Sequence, residues 1–177
     1  MGVLEQLTAL DILFMLLWLA VVVYGFTTGT GRQLFMIGSI LVGMLLGGAL
    51  AGPLSVWTGP MSGVGKEGIL PFTWAVLVVL ISLVAYVLVV RSYPNTKFLR
   101  MSALDSVAGG IVGFFTGLLL ISELGAMIDL LTRGQWPLLD AARVNIQTQI
   151  TSGPLFPWIA DAFPLLSDGL RQLAPHV

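Results

Sequence analysis

The sequence contains no cysteine, a single histidine (His176), and charged residues at only 10% of its 177 positions. Without cysteine the chain can form no disulfide, carry out no thiol chemistry and bind no metal through thiolates. One histidine excludes a histidine-rich metal site or a set of histidine-ligated haems within this chain. The net charge of −1 lacks the basic excess that a nucleic-acid-binding surface needs. We therefore expect no cofactor, no metal and no nucleic-acid partner.

Apolar residues are correspondingly abundant. They account for 56% of the chain, and the mean hydropathy is +0.96. A water-soluble domain carries about 25% charged residues, so this chain has too few to cover its own surface. The composition predicts an integral membrane protein whose first partner is the lipid bilayer.

Four apolar runs are long enough to cross a membrane, which takes about 20 residues as a helix. A secretory signal is the alternative for the first run, but residues 1–11 contain Glu5 and Asp11 and no basic residue. We therefore predict an all-α membrane protein with a four-helix transmembrane domain over 1–123. The predicted spans are about 10–28, 34–51, 69–90 and 105–122.

Lysine and arginine are distributed unequally between the loops. With four spans, Arg32, Arg91, Lys97 and Arg100 lie on one side, and the short loop on the other side has only Lys66. Basic residues in short loops stay in the cytoplasm. This predicts a multi-pass protein with its N- and C-termini outside.

The remaining segment, 124–177, has a different composition, because charges recur every few residues and prolines interrupt it. It predicts an amphipathic tail at the membrane interface, where aromatic residues are favoured. Two interpretations stay open: contact with lipid, or packing as a lid on the helix ends or on another subunit. The aromatic residues of this interfacial tail are Trp136, Phe156, Trp158 and Phe163.

Glycines recur at four-residue spacing in or beside the spans. Small residues at i and i+4 form a groove on one helix face, so that a second backbone can approach closely. We predict that these glycines pack helices within the chain or against a partner, as a homo- or hetero-oligomer. The residues are Gly25, Gly29, Gly43, Gly47, Gly109, Gly113 and Gly117.

Four polar residues at the span ends are candidates for a functional role: Asp11, Arg32, Asp105 and Glu123. The aspartates open the first and fourth spans in a repeated Ala-Leu-Asp triplet, where a carboxylate caps a helix N-terminus. Spans that run in opposite directions with a shared motif also resemble the inverted repeats of transporters. Glu123 either reaches water at the interface, or pairs with a group such as Arg133, or binds a proton or ion.

The spans contain no lysine, arginine or histidine, no Ser-His pair, no metal-spaced cluster and no phosphate-binding loop. We therefore expect no enzymatic activity.

The order of these motifs resembles the colicin V production protein (CvpA) family. The resemblance covers nearly the whole chain, including the Pro/Leu-rich end at 152–166. It implies a bacterial inner-membrane protein with four helices, without established catalytic residues, linked to toxin production or export and to envelope function. The residues that carry it are Asp11, Gly25-Phe26-x-x-Gly29, Arg32, Asp105 and Gly109-x-x-x-Gly113-x-x-x-Gly117.

Two functions follow from these features. The first is an envelope protein of this family that acts by helix packing with partner proteins. The second is an accessory subunit of a larger respiratory, photosynthetic or transport complex in the membrane. Both predict exposed glycine grooves, a docking tail and no chemistry in this chain.

Overall fold

The computed structural model describes residues 7–62, 65–93, 102–133 and 140–162. Over these residues the chain is helical without any strand, and four of the helices are long and apolar enough to span a membrane. The prediction of an all-α membrane protein with four spanning helices is confirmed. The helices are α1 (Ala9–Thr28), α2 (Thr30–Ser62), α3 (Gly65–Ser92), α4 (Ser102–Arg133), α5 (Asp140–Ser152) and α6 (Leu155–Ala162).

Helix α1 has sharply defined ends. At its start, the Thr8 hydroxyl accepts a hydrogen bond from the Asp11 backbone, and the Asp11 carboxylate accepts one from the Thr8 backbone. This reciprocal capping box satisfies amides that have no partner inside the helix. At its end, Gly29 adopts a φ of 85°, which a residue with a side chain rarely takes. The chain therefore turns at once into α2.

Helices α2 and α4 are longer than the predicted spans of 34–51 and 105–122. Helix α2 continues through Pro53 and Pro60, which membrane helices tolerate because neighbouring groups satisfy the freed backbone. Helix α4 continues to Arg133, so 124–133 belongs to the fourth helix and not to the tail. Its added turns stay helical because Met127, with Leu124 and Leu131 beside it, packs into the core against α2 and α3.

The long helices associate in two antiparallel pairs, α1 with α4 and α2 with α3. Helix α4 also packs on α2 and so joins the two pairs. A first core lies among α2, α3 and α4 around Met44, Trp74 and Val78. A second lies between α1 and α4 around Phe14 and Ile121.

Helix α6 belongs to this second core. Leu155 and Ile159 are buried against it, and the rings of Phe14 and Phe156 meet edge to face at 5.2 Å between centroids. The rings of Trp18 and Trp158 lie 6.4 Å apart. The short helix therefore lies along the side of the α1–α4 pair, next to residues well inside α1.

Candidate functional site

The glycines of α1 and α4 face each other where these two helices meet. A side chain at Gly25 would overlap the carbonyl oxygen of Gly109, and its Cβ would stand 3.2 Å from the Gly113 Cα. A Cβ at Gly109 would stand 2.8 Å from the Gly29 Cα. Further along, Gly117 faces the indole of Trp18, whose Nε1 donates a hydrogen bond to the Phe114 carbonyl at 3.0 Å. At Gly25 and Gly109 the neighbouring atoms belong to the backbone, so no side chain could move aside there.

The other predicted glycines, Gly43 and Gly47, lie on the face of α2 that meets α3. A Cβ at Gly43 would overlap the Ser82 hydroxyl and stand 2.8 Å from the Val78 carbonyl oxygen. A Cβ at Gly47 would stand 2.6 Å from a methyl carbon of Val78. Both helix pairs are thus close at glycine positions.

Asp105 lies in the first turn of α4 and its side chain reaches the start of α2. Its Oδ1 accepts a hydrogen bond from the Thr30 backbone amide at 3.3 Å, and the Thr30 hydroxyl donates to its backbone carbonyl at the same distance. A side chain at Gly29 would overlap the carboxylate. A carboxylate here also meets the positive end of the α2 dipole. The residue therefore caps a helix other than its own.

Asp11 occupies a comparable position at the opposite end of the α1–α4 pair. It is fully buried, and its Oδ2 accepts hydrogen bonds from both the amide and the hydroxyl of Thr8 at 2.9 and 2.8 Å. A Cβ at Gly153, between α5 and α6, would overlap this carboxylate, whose Oδ1 has no hydrogen-bond partner. Each aspartate thus lies against a glycine at a junction between two helices.

Glu123 is placed on the other side of α4, where it lines a cleft among α2, α3 and α4. Only 3% of its surface is exposed, and its Oε1 has no hydrogen-bond partner. The side chain of Arg133, one of the partners considered for it, lies outside the described residues. Glu123 is therefore a buried acid with an unsatisfied oxygen in an apolar surrounding.

The remaining predicted residues are dispersed. Arg32 is half-buried at the start of α2 and is not itself among the residues that line the Glu123 cleft. Phe156 packs against Gly125 and Phe14, while Trp158 is 48% exposed beside Trp18. Trp136 and Phe163 lie outside the described residues. The structure thus does not gather the candidate residues into one reactive centre.

In a comparison with known protein families, residues 10–164 match the family model described as "Colicin V production protein". This match covers most of the chain, from the first turns of α1 to just beyond α6. The chain belongs to the colicin V production protein (CvpA) family. No curated protein and no solved structure matches it. Members of the CvpA family are not known as enzymes.

In this CvpA-family chain, several residues that the sequence did not single out lie next to predicted site residues in the fold. Ser82 meets Gly43 and lines the Glu123 cleft, and Gly153 meets Asp11. Gln33 is fully buried, with neither side-chain atom hydrogen-bonded. The only serine of the uncharged run 69–90 was the available signal for Ser82, because small and hydroxyl-bearing residues in a spanning helix often lie at a helix contact.

Proposed function

We propose that this protein is a non-enzymatic bacterial inner-membrane protein that serves toxin production or export, and envelope function more broadly, by packing against partner membrane proteins. The observation that carries the proposal is the family match over 10–164, which includes all four spanning helices. The four helices support a multi-pass membrane location. The family name supplies the link to toxin production.

The outer surface of the bundle supports a role in association. Helix α3 packs mainly on α2, and its opposite side exposes apolar residues such as Leu80, Leu83 and Leu88. Lipid covers such surfaces equally well, since hydrocarbon is as apolar as leucine. A partner helix could therefore replace lipid on this exposed face of α3.

The basic residues support an orientation with both termini outside. Arg32 at the start of α2 and Arg91 near the end of α3 lie at the same end of the bundle, because these helices are antiparallel neighbours. By the positive-inside rule this end faces the cytoplasm. The start of α1 and the α5–α6 tail then face the periplasm.

The experiment is a gene deletion in a bacterial host that makes colicin V, followed by measurement of the toxin in the medium and inside the cells. We expect less toxin in the medium after deletion, with recovery by the wild-type protein. Gly38→Leu should also restore export because Gly38 has open space around it, whereas Gly109→Leu should not because the α1–α4 contact is lost. Unchanged toxin in the medium after deletion would contradict the proposal.

A second measurement distinguishes a role in toxin export from a role as an accessory subunit of a larger complex. The protein is extracted with a mild detergent from cells without toxin genes, and the proteins that co-purify are identified. A large complex of fixed stoichiometry in those cells would favour an accessory subunit over a role in toxin export.

A further inference from the structure

The cleft that Glu123 lines has the properties of a ligand site. It has a volume of about 260 Å³ and lies among α2, α3 and α4. Its wall is mostly aliphatic, with Ile40, Val79 and Leu83 among the lining residues. Val79 and Leu83 are also exposed on the outer face of α3, so the cleft opens where lipid surrounds the protein.

The polar part of this wall consists of Glu123 and the hydroxyl-bearing Ser39, Ser82 and Tyr86. Glu123 Oε1 and Ser82 Oγ are buried without a hydrogen-bond partner, and within the described residues no lysine, arginine or histidine lines the cleft. A buried carboxyl without a donor is costly, and more costly still when it is ionised. The Glu123 carboxyl is therefore complementary to a group that donates hydrogen bonds or carries positive charge.

The register of α1 on α4 gives the depth of this carboxyl. Gly25 faces Gly109 and Trp18 faces Gly117, so each turn forward along α1 matches one turn back along α4. Continued in the same way, this register brings Glu123 level with the first turn of α1. Helix α1 has 20 residues and spans about 30 Å, the thickness of the hydrocarbon layer. Glu123 therefore lies level with one end of α1, while its own helix continues as an apolar span to Thr132.

We propose that this cleft binds a membrane amphiphile, with its aliphatic chain along the α3–α4 wall and its headgroup amine or hydroxyl donating a hydrogen bond to Glu123. The apolar wall accounts for the chain, and the buried carboxyl with an unpartnered oxygen accounts for the donor. Ser82 supplies a second polar contact within the cleft.

Native mass spectrometry of the full-length protein in detergent tests the proposal with three probes of equal chain length: hexadecylamine, hexadecanol and methyl hexadecanoate. The ester accepts hydrogen bonds but has no donor. We expect the amine and the alcohol to be retained about tenfold or more over the ester, since a hydrogen bond to a charged group is worth at least that factor. Equal retention of all three probes, or retention of none, would overturn the proposal.

Variants then assign the preference to Glu123. Glu123→Leu should bring both donor probes down to the level of the ester. The matched control is Asp161→Asn, at an exposed carboxyl of α6 that does not line the cleft. Undiminished donor binding by a monodisperse, helical Glu123→Leu protein would contradict the role of Glu123.

A chemical label keeps the test independent of how the variants fold. Dicyclohexylcarbodiimide dissolves in the hydrocarbon phase and reacts through the protonated fraction of an accessible carboxyl, which it converts to an N-acylurea. In wild-type protein in lipid vesicles we expect modification of Glu123, reduced by hexadecanol and not by methyl hexadecanoate. An unmodified Glu123 would mean that the cleft is closed to lipid or is covered by a partner helix, and either result would overturn the proposal.

Discussion

The Asp105 carboxylate at the start of α4 accepts a hydrogen bond from the Thr30 amide at the start of α2, at 3.3 Å. The two residues are 75 positions apart in the sequence. This contact fixes the tight turn at Gly29 against α4, because the same carboxylate fills the space next to Gly29. One side chain thus holds the junction of α1 and α2 to the start of a third helix.

Replacing Asp105 with alanine should therefore destabilise the protein. Loss of a helix cap typically costs about 0.5–2 kcal/mol, and the half-buried Thr30 amide would also lose its acceptor. Thermal unfolding in detergent, followed by circular dichroism, should show a lower midpoint for Asp105→Ala than for the exposed-site control Asp161→Ala. Equal midpoints would mean that the cap contributes nothing to stability.

Gly109→Ala should destabilise the α1–α4 pair, because the new methyl group would meet the backbone of Gly25 and Gly29. Forced overpacking of this kind costs about 1–3 kcal/mol. Gly38→Ala is the matched control, since nothing lies within 4 Å of a Cβ at Gly38. It should leave stability unchanged or raise it slightly through helix propensity. Thermal unfolding of both variants checks the difference, and equal tolerance would show that the α1–α4 contact yields easily.

One side of helix α6 should be protected from chemical modification, because it packs on α1 and α4. A cysteine in place of Ile159, which is buried against Phe14 and Leu118, should react slowly with a maleimide. A cysteine in place of the exposed Asp161 should react fast. Mass spectrometry over a time course measures both rates, and similar rates would indicate that α6 does not stay docked on α1 and α4.

The orientation can be tested at two exposed serines. With the termini outside, Ser152→Cys at the end of α5 should react in intact cells with a thiol reagent that cannot cross the inner membrane. Ser92→Cys at the end of α3 should react only after the membrane is opened. The reverse pattern would invert the proposed topology.

The four spanning helices could be predicted from the sequence because hydrocarbon imposes a simple requirement, a long run of apolar residues. Their ends were harder to predict. Pro53 and Pro60 suggest a break, yet α2 passes through both, and Glu123 suggests the end of a span, yet α4 continues to Arg133. In each case packing on neighbouring helices determines where the helix ends. The sequence of one helix does not show which helices pack against it.

The same limit applies to the candidate site. The spacing of Gly109, Gly113 and Gly117 indicates a face suited to close packing, but does not specify that the facing helix is α1. Asp105 is recognisable as a capping residue, but the helix that it caps is identified only by the turn at Gly29. The environment of Glu123 depends on α2 and α3, so its burial in a cleft could not be deduced from its position in α4 alone.

The pairing of α1 with α4 has a consequence for biosynthesis. Helices α2 and α3 are neighbours in the chain and can associate as soon as both have entered the membrane. Helix α1 enters first, but its groove at Gly25 stays without its partner until Gly109 has been translated and inserted. Until then a newly made α1 offers an open glycine surface to any other helix in the bilayer. The insertion of α4 is therefore the step that commits the nascent chain to its own fold.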